Sequence, residues 1–166
     1  MTDVIPHGTS ETHDGAWLLR YELHLPHPQE RVWTAVATPE GLRGWLCAVD
    51  VLEPRLGGAV TLRWLNAGPE GVHSGHVTAW APETAAEYTV DLHGRIRFHL
   101  ESVSPSATVL RFTNEFAGDD ALRLDCLAGW HDHFDILADA LSGRPKDWST
   151  WSAGRWQELR AAYAGG

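Results

Sequence analysis

The longest regular pattern in the chain lies between residues 119 and 142. Apolar residues recur there at spacings of three and four, which predicts a helix with one buried side. Asp119 suits the amino-terminal cap, and Gly143 suits the carboxyl end. Such a helix is about 36 Å long and needs a broad surface to pack against. Its apolar positions are Leu127, Trp130, Phe134, Leu137 and Leu141.

The opposite side of this predicted helix carries four carboxylates. A run of like charge is typical of a solvated surface, so this side is expected to face water. The four residues are Asp125, Asp132, Asp135 and Asp139.

Alternating apolar and polar residues precede the helix and predict strands. Residues 17–25 alternate as one half-buried strand, and two short helices follow, 29–37 and 39–46. Turn residues then recur about every ten positions, which is typical of an antiparallel meander. The sequence therefore predicts a two-layer α+β domain whose curved sheet wraps around the long helix. The six meander strands are predicted at 47–53, 60–64, 73–80, 85–92, 95–103 and 108–116, with a hairpin loop at 66–71.

The two ends of the chain break the pattern. Residues 1–15 are polar and are predicted to form a flexible arm, so that one domain spans 16–166. The extension 144–166 is irregular up to a short helix at 155–163. Its tryptophans predict either a tail or lid packed on the domain, or an interface between two chains. They are Trp148, Trp151 and Trp156.

Composition excludes several classes of function. The net charge is −9, which argues against nucleic acid and anionic membranes as partners, because both select basic patches. No run of 18 apolar residues is present, so no membrane span is predicted. The amino terminus does not resemble a signal peptide, and Cys47 and Cys126 belong to no motif. We therefore expect a cytoplasmic protein with two free thiols.

The ten histidines do not predict a metal site. His131 and His133 point about 200° apart on a helix, and His73 and His76 face opposite sides of a strand. The sequence contains no HExxH, CxxC, Gly-x-Ser-x-Gly or phosphate-binding motif. We predict no catalytic residue, no metal and no cofactor.

Five segments in order resemble one family. They resemble activator of heat-shock chaperone ATPase-like (AHSA-like) proteins of the START-like or SRPBCC superfamily, over residues 17–142. The resemblance implies the helix-grip, Bet v-like fold, with a cavity between sheet and helix that holds an apolar ligand in many relatives. The segments are Pro28-Gln-Glu-Arg-Val-Trp33, Thr38-Pro-Glu-Gly-Leu-Arg-Gly-Trp45, Leu56-Gly-Gly-Ala-Val60, Ser74-Gly-His-Val77 and Gly129-Trp-His-Asp-His-Phe-Asp-Ile-Leu137.

Polar and aromatic residues on inward faces are the candidates for lining this cavity. Asn114 alternates in step with Leu110 and Phe112, so its amide needs a partner in the core, either a structural neighbour or a ligand. Many relatives carry His at this position, so Asn114 weakens any acid–base proposal. The predicted ligand-binding set is Trp45, Trp64, Tyr88, Asn114, Trp130 and His133, and each position is also compatible with core packing.

Small residues on the long helix predict where this space lies. Cys126 and Gly129 leave room near its amino-terminal half, although Gly129 costs about 1 kcal/mol relative to Ala within a helix. Close approach to the sheet or a ligand explains this glycine, and so does accommodation of the bulky Trp130. His133 is expected to titrate near neutral pH if it reaches the same space.

Three classes of function follow from the sequence. The favoured one is a carrier or sensor that binds an apolar or aromatic small molecule. The second is a protein-interaction module that regulates a chaperone ATPase, and the third is a polyketide cyclase- or aromatase-like enzyme. The expected partner is an apolar small molecule, or, for the second class of function, a protein. The chain is expected to be a monomer or a homodimer.

Overall fold

The strands form one antiparallel sheet in a computed structural model that describes residues 5–66 and 71–165. They are β1 (Thr9–His13), β2 (Ala16–Leu25), β3 (Ala48–Leu52), β4 (Ala59–Arg63), β5 (Val72–Ala81), β6 (Ala85–Val90), β7 (Gly94–Ser104) and β8 (Ala107–Phe116). Their order is β1-β2-β8-β7-β6-β5-β4-β3, so β3 to β8 form the predicted six-stranded meander. Residues 67–70 of the predicted hairpin loop lie outside the described residues.

Four helices accompany the sheet. They are α1 (Gln29–Ala37), α2 (Pro39–Arg43), α3 (Asp120–Leu141) and α4 (Gly154–Gly165), with a 3-10 turn at Trp148–Thr150. Asp119 caps α3, because its Oδ1 accepts a hydrogen bond of 2.9 Å from the Leu122 amide. Gly143 follows the end of α3 with a φ of 91°, a left-handed conformation that glycine adopts without strain. No helix within the described ranges is both long and apolar enough to cross a membrane.

The sheet wraps around α3, which confirms the predicted α+β helix-grip fold. All five apolar positions predicted on α3 are buried. Phe112 of β8 lies 4.4 Å from Trp130 and 5.1 Å from Phe134, measured between ring centroids. These aromatic contacts join the concave face of the sheet to the helix.

The amino-terminal region differs from the predicted flexible arm. Thr9–His13 form β1, which pairs antiparallel with β2 at the edge of the sheet. Ile5 joins the core, with only 4 % of its surface exposed. The prediction was wrong for these residues because an edge strand of polar residues is held by backbone hydrogen bonds and has no alternating pattern to reveal it. Residues 1–4 of the arm lie outside the described residues.

Strand β6 ends two residues earlier than predicted. Its predicted final position, Leu92, is 66 % exposed and has a positive φ of 64°. The chain turns tightly there, and the His93 amide donates a hydrogen bond to the Asp91 carbonyl. A tight turn into β7 therefore interrupts the alternation that predicted a longer strand.

The carboxyl-terminal extension packs over part of the carboxylate side of α3, and the predicted exposure to water was wrong for Asp132. Asp132 is only 6 % exposed and accepts a hydrogen bond from Trp151 Nε1 at 3.3 Å. Two arginines of α4 pair with other carboxylates of α3. These pairs are Arg160–Asp125 at 2.6 Å and Arg155–Asp135 at 3.1 Å. The sequence pattern predicted a water-exposed side because periodicity within α3 cannot show that a later segment folds back over part of it.

Candidate ligand-binding cavity

A cavity of about 340 Å³ lies beside the amino-terminal half of α3. One side is formed by α3 and α4, and the other by the β4–β5 connection and the β6–β7 turn. The helical side contributes Leu122, Asp125, Cys126, Gly129, Trp130, His133 and Trp156. The remaining lining residues are Leu46, Trp64, Asn66, Gly71, His73 and His93.

Gly129 borders open space. A Cβ atom built on it meets only Trp156 Nε1, at 3.9 Å, which is an ordinary contact. Cys126 lies one turn away and also lines the cavity, and burial raises the pKa of its thiol to about 12. The thiol is therefore neutral, and Gly129 and Cys126 give this part of the cavity wall small, uncharged groups.

Trp64 is the centre of the aromatic wall. Its ring lies 4.9 Å from His93, 6.2 Å from His133 and 6.3 Å from Trp130, measured between centroids. The indole Nε1–H of Trp64 is buried and has no hydrogen-bond partner among the residues that the structure describes. A buried donor without a partner costs about 1–3 kcal/mol.

His133 lines the cavity as a neutral ring beside Asn66. Its Nδ1 lies 2.9 Å from the Trp45 carbonyl, which can only accept, so Nδ1 carries the proton. Nε2 is then left as an acceptor and lies 3.4 Å from Asn66 Nδ2. Burial lowers the pKa of His133 to about 4, so the imidazole is neutral at neutral pH. The expectation that it titrates near neutral pH was wrong because, in the described part of the chain, no carboxylate compensates for its burial.

Two further imidazoles meet at the strand side of the cavity. The rings of His73 and His93 lie 4.6 Å apart, nearly perpendicular. Burial, and secondarily the neighbouring His73, lowers the pKa of His93 to about 4. In the part of the chain that the structure describes, no three His, Cys, Asp or Glu side chains are placed to hold a metal ion.

The structure brings together three of the six predicted site residues. Trp64, Trp130 and His133 line the cavity, whereas Trp45, Tyr88 and Asn114 do not. Trp45 Nε1 donates to the Ala35 carbonyl and the Tyr88 hydroxyl donates to the Val36 carbonyl, each at 2.8 Å. Both side chains therefore lie in the core, because carbonyls near the end of α1 satisfy their polar atoms.

Asn114 is also held by structural partners. Its Nδ2 donates to the His93 carbonyl at 2.8 Å and to the Arg95 carbonyl at 3.0 Å. Its Oδ1 accepts from Trp130 Nε1 at 3.0 Å. The amide does not line the cavity, but it fixes the indole of Trp130, which does.

Several lining residues were not predicted from the sequence. His93 lies in the turn between β6 and β7, where alternation gives no information about direction. Trp156 lies on α4, and its Nε1 donates to the Asp125 carbonyl at 3.1 Å. The helical spacing of Trp156, Leu159 and Tyr163 indicates the buried side of α4. No local signal shows which surface that side covers.

The sequence model of the "Activator of Hsp90 ATPase homolog 1-like protein" family matches residues 26–142. No curated protein sequence matches the chain. Solved structures with the same fold include EF2215 from Enterococcus faecalis, a protein of unknown function. It is 16 % identical with a TM-score of 0.74, over 95 % of this chain and 88 % of that one.

Two other solved structures differ in how much of the chain they cover. CalU16 from Micromonospora echinospora is 17 % identical with a TM-score of 0.70, over 95 % of this chain and 94 % of that one. The Aha1 dimer from Colwellia psychrerythraea is 21 % identical with a TM-score of 0.61, over 75 % of this chain and 95 % of that one. The likeness to EF2215 and CalU16 thus extends beyond residues 26–142.

Proposed function

Since the chain belongs to the activator of Hsp90 ATPase homolog 1-like family, whose fold leaves space beside the long helix, we propose that it binds an apolar small molecule there. The proposed role is that of a carrier or sensor, with the ligand in the cavity beside Gly129. The observation that carries the proposal is the open space at this glycine, bordered by the indoles of Trp64, Trp130 and Trp156.

The composition of the walls supports ligand binding. Pockets for small molecules are mostly apolar and aromatic, with a few polar groups that orient the ligand. Leu46, Leu122 and the three indoles provide apolar surface. Asn66 and His133 provide the polar groups at one border of the cavity, where Asn66 Nδ2 lies 3.4 Å from His133 Nε2. A planar apolar molecule with one polar group matches this arrangement.

Gly129 allows a matched test. Gly129→Leu places a branched side chain in the cavity, whereas Gly129→Ala adds a methyl group that has room beside Trp156. We expect an environment-sensitive naphthalene dye to bind the parent and the Ala variant, and the Leu variant to lose most of the signal. Thermal melts of both variants check that the fold persists. Equal dye binding by a folded Leu variant contradicts the proposed site.

Regulation of a chaperone ATPase is the alternative function. The family description and the likeness to the Aha1 dimer favour it. A stimulation of Hsp90 ATPase activity by the parent, retained in Gly129→Leu, would support a protein surface as the functional site. A cyclase- or aromatase-like reaction is the weaker alternative, because Asn114, where many relatives carry His, does not line the cavity.

A further inference from the structure

The polar groups of the cavity are concentrated on its strand side. His73 and His93 form a pair there, and Trp64 contacts His93. Asn66 lies beside His133 at the border with α3. The helical side is formed by small or apolar groups together with Asp125, whose carboxylate is paired with Arg160 at 2.6 Å. A ligand therefore meets an imidazole-rich end and an apolar end.

One added proton makes the imidazole-rich end a donor site. A neutral imidazole has one N–H and one acceptor nitrogen, whereas an imidazolium has two N–H groups and no acceptor, so the pair with one added proton carries three N–H groups. Asn66 has a second amide N–H beyond the one that faces His133. A head group made of acceptor atoms matches these donors, and a carboxylate is such a group.

The described charges around the histidine pair would be balanced if the pair took up one proton and one anion bound beside it. His133 of α3 faces the same cavity as a neutral ring, and the Asp125 carboxylate is neutralised by Arg160. Asp91, two residues before His93, does not line the cavity, and its carboxylate accepts from the Ser74 amide at 3.4 Å. No other charged side chain lines the cavity among the described residues. Among the residues that the structure describes, the pair thus has no anionic partner in the cavity that compensates for a proton on it.

We propose that the cavity selects an apolar molecule with a carboxylate head group, which sits against His73 and His93 and is bound with uptake of one proton by that pair. This inference rests on the proposed ligand-binding function and adds the chemical class of the ligand. An ionised carboxylate is very costly to bury without a partner, and a cationic imidazole supplies one. The proton comes from solvent and ends on an imidazole nitrogen, so the complex is electrically neutral.

Naphthoate and its methyl ester are the probes, because they share an apolar body and differ in the charged head. We expect the dissociation constant of naphthoate to rise with pH and to approach a tenfold rise per pH unit above about pH 7, as required for uptake of one proton. The ester should show no such slope. Calorimetry in buffers of different ionisation enthalpy should count about one proton taken up with naphthoate.

A double variant separates the imidazoles from the rest of the cavity. His73→Gln/His93→Gln should bind naphthoate at least about tenfold more weakly at about pH 6 and lose the pH slope, while its affinity for the ester should change much less. The ester therefore shows that the cavity is intact. His24→Gln, at an exposed histidine of β2, is the control and should behave as the parent.

The possible outcomes separate the two proposals. A pH slope that persists in the double variant means that the acid binds in its neutral form, which overturns the assignment to the histidine pair. Equal binding of acid and ester without a slope overturns the carboxylate class but leaves the proposed function standing. Binding of neither probe, or binding unaffected by Gly129→Leu, overturns both. Imidazole NMR signals of the parent should move toward the imidazolium position with naphthoate, and unmoved signals contradict the inference without any variant.

Discussion

The indole nitrogen of Trp130 donates a hydrogen bond of 3.0 Å to Oδ1 of Asn114, which joins the long helix to the neighbouring strand. Asn114 also donates to two backbone carbonyls, of His93 and Arg95. One amide therefore fixes an aromatic wall of the cavity and the turn that carries His93.

Replacement of Asn114 by Leu should destabilise the fold. The change leaves the Trp130 N–H and the His93 carbonyl without this partner in the core, and each unsatisfied group costs about 1–3 kcal/mol. We expect a loss of about 3 kcal/mol in urea unfolding. Asn66→Ala is the matched control, since Asn66 is half-buried and makes one long contact at 3.4 Å. Equal stability of the two variants contradicts a structural role for Asn114.

Truncation of Phe134 tests the grip of the sheet on α3. Phe134 is fully buried, with its ring 5.1 Å from Phe112 and 5.9 Å from Trp45. We expect Phe134→Ala to lower the free energy of unfolding by about 3–5 kcal/mol, as for other large core aromatics. Ile136→Ala, on a half-buried position of the same helix, should cost clearly less. A melting temperature of Phe134→Ala within a degree or two of the parent would show that the helix is not gripped there.

Stability should fall as the solution becomes acidic, partly because of His133. Burial lowers the pKa of this imidazole from 6.5 to about 4, so between these values the unfolded state binds more protons. Its contribution is complete above about pH 6.5, is lost as the pH falls toward 4, and amounts to roughly 3 kcal/mol. His133→Asn keeps a donor for the Trp45 carbonyl and does not titrate. Urea unfolding at several pH values should therefore show a shallower acid slope for this variant, and identical slopes contradict the prediction.

The Tyr163 hydroxyl should hold the two ends of the chain together. It accepts from the Gly8 amide at 2.9 Å and lies 2.8 Å from His131 Nδ1. We expect Tyr163→Phe to cost about 1–2 kcal/mol and to speed hydrogen exchange at Gly8. Tyr88→Phe is the control, because it loses a core hydrogen bond far from Gly8 and should leave that exchange unchanged. Unaltered exchange at Gly8 in Tyr163→Phe would show that contacts other than the Tyr163 hydroxyl hold the amino-terminal segment.

Deletion of residues 147–166 tests whether the tail tryptophans join two chains. Trp148, Trp151 and Trp156 each donate a hydrogen bond within their own chain, to Arg43, Asp132 and Asp125 respectively. We therefore expect the deletion to lower stability, by uncovering α3, without converting a dimer to a monomer. Light scattering of parent and truncated chain measures this. A dimeric parent whose truncated form is a stable monomer would assign the tail to the interface.

The sequence by itself determined the architecture, because helices and strands repeat with fixed periods. Leu127, Trp130, Phe134, Leu137 and Leu141 follow the helical period, and the alternation in β2 and β8 follows the period of a strand. Cys126 and Gly129 also indicated space on one flank of α3, because residue size is a local property. The inward direction of Asn114 followed from the same alternation.

Only the tertiary structure decided which groups meet. The carboxylate side of α3 is partly covered because a segment 20 or more residues later folds back with Arg155 and Arg160, which pair with Asp135 and Asp125. Trp45 and Tyr88 do not line the cavity, because their polar atoms donate hydrogen bonds to backbone carbonyls of α1 in the core. His73 and His93 line the cavity although the sequence did not predict it, because the fold places β5 beside the β6–β7 turn. Periodicity fixes the side of an element on which a residue lies, whereas its neighbour there depends on contacts between distant parts of the chain.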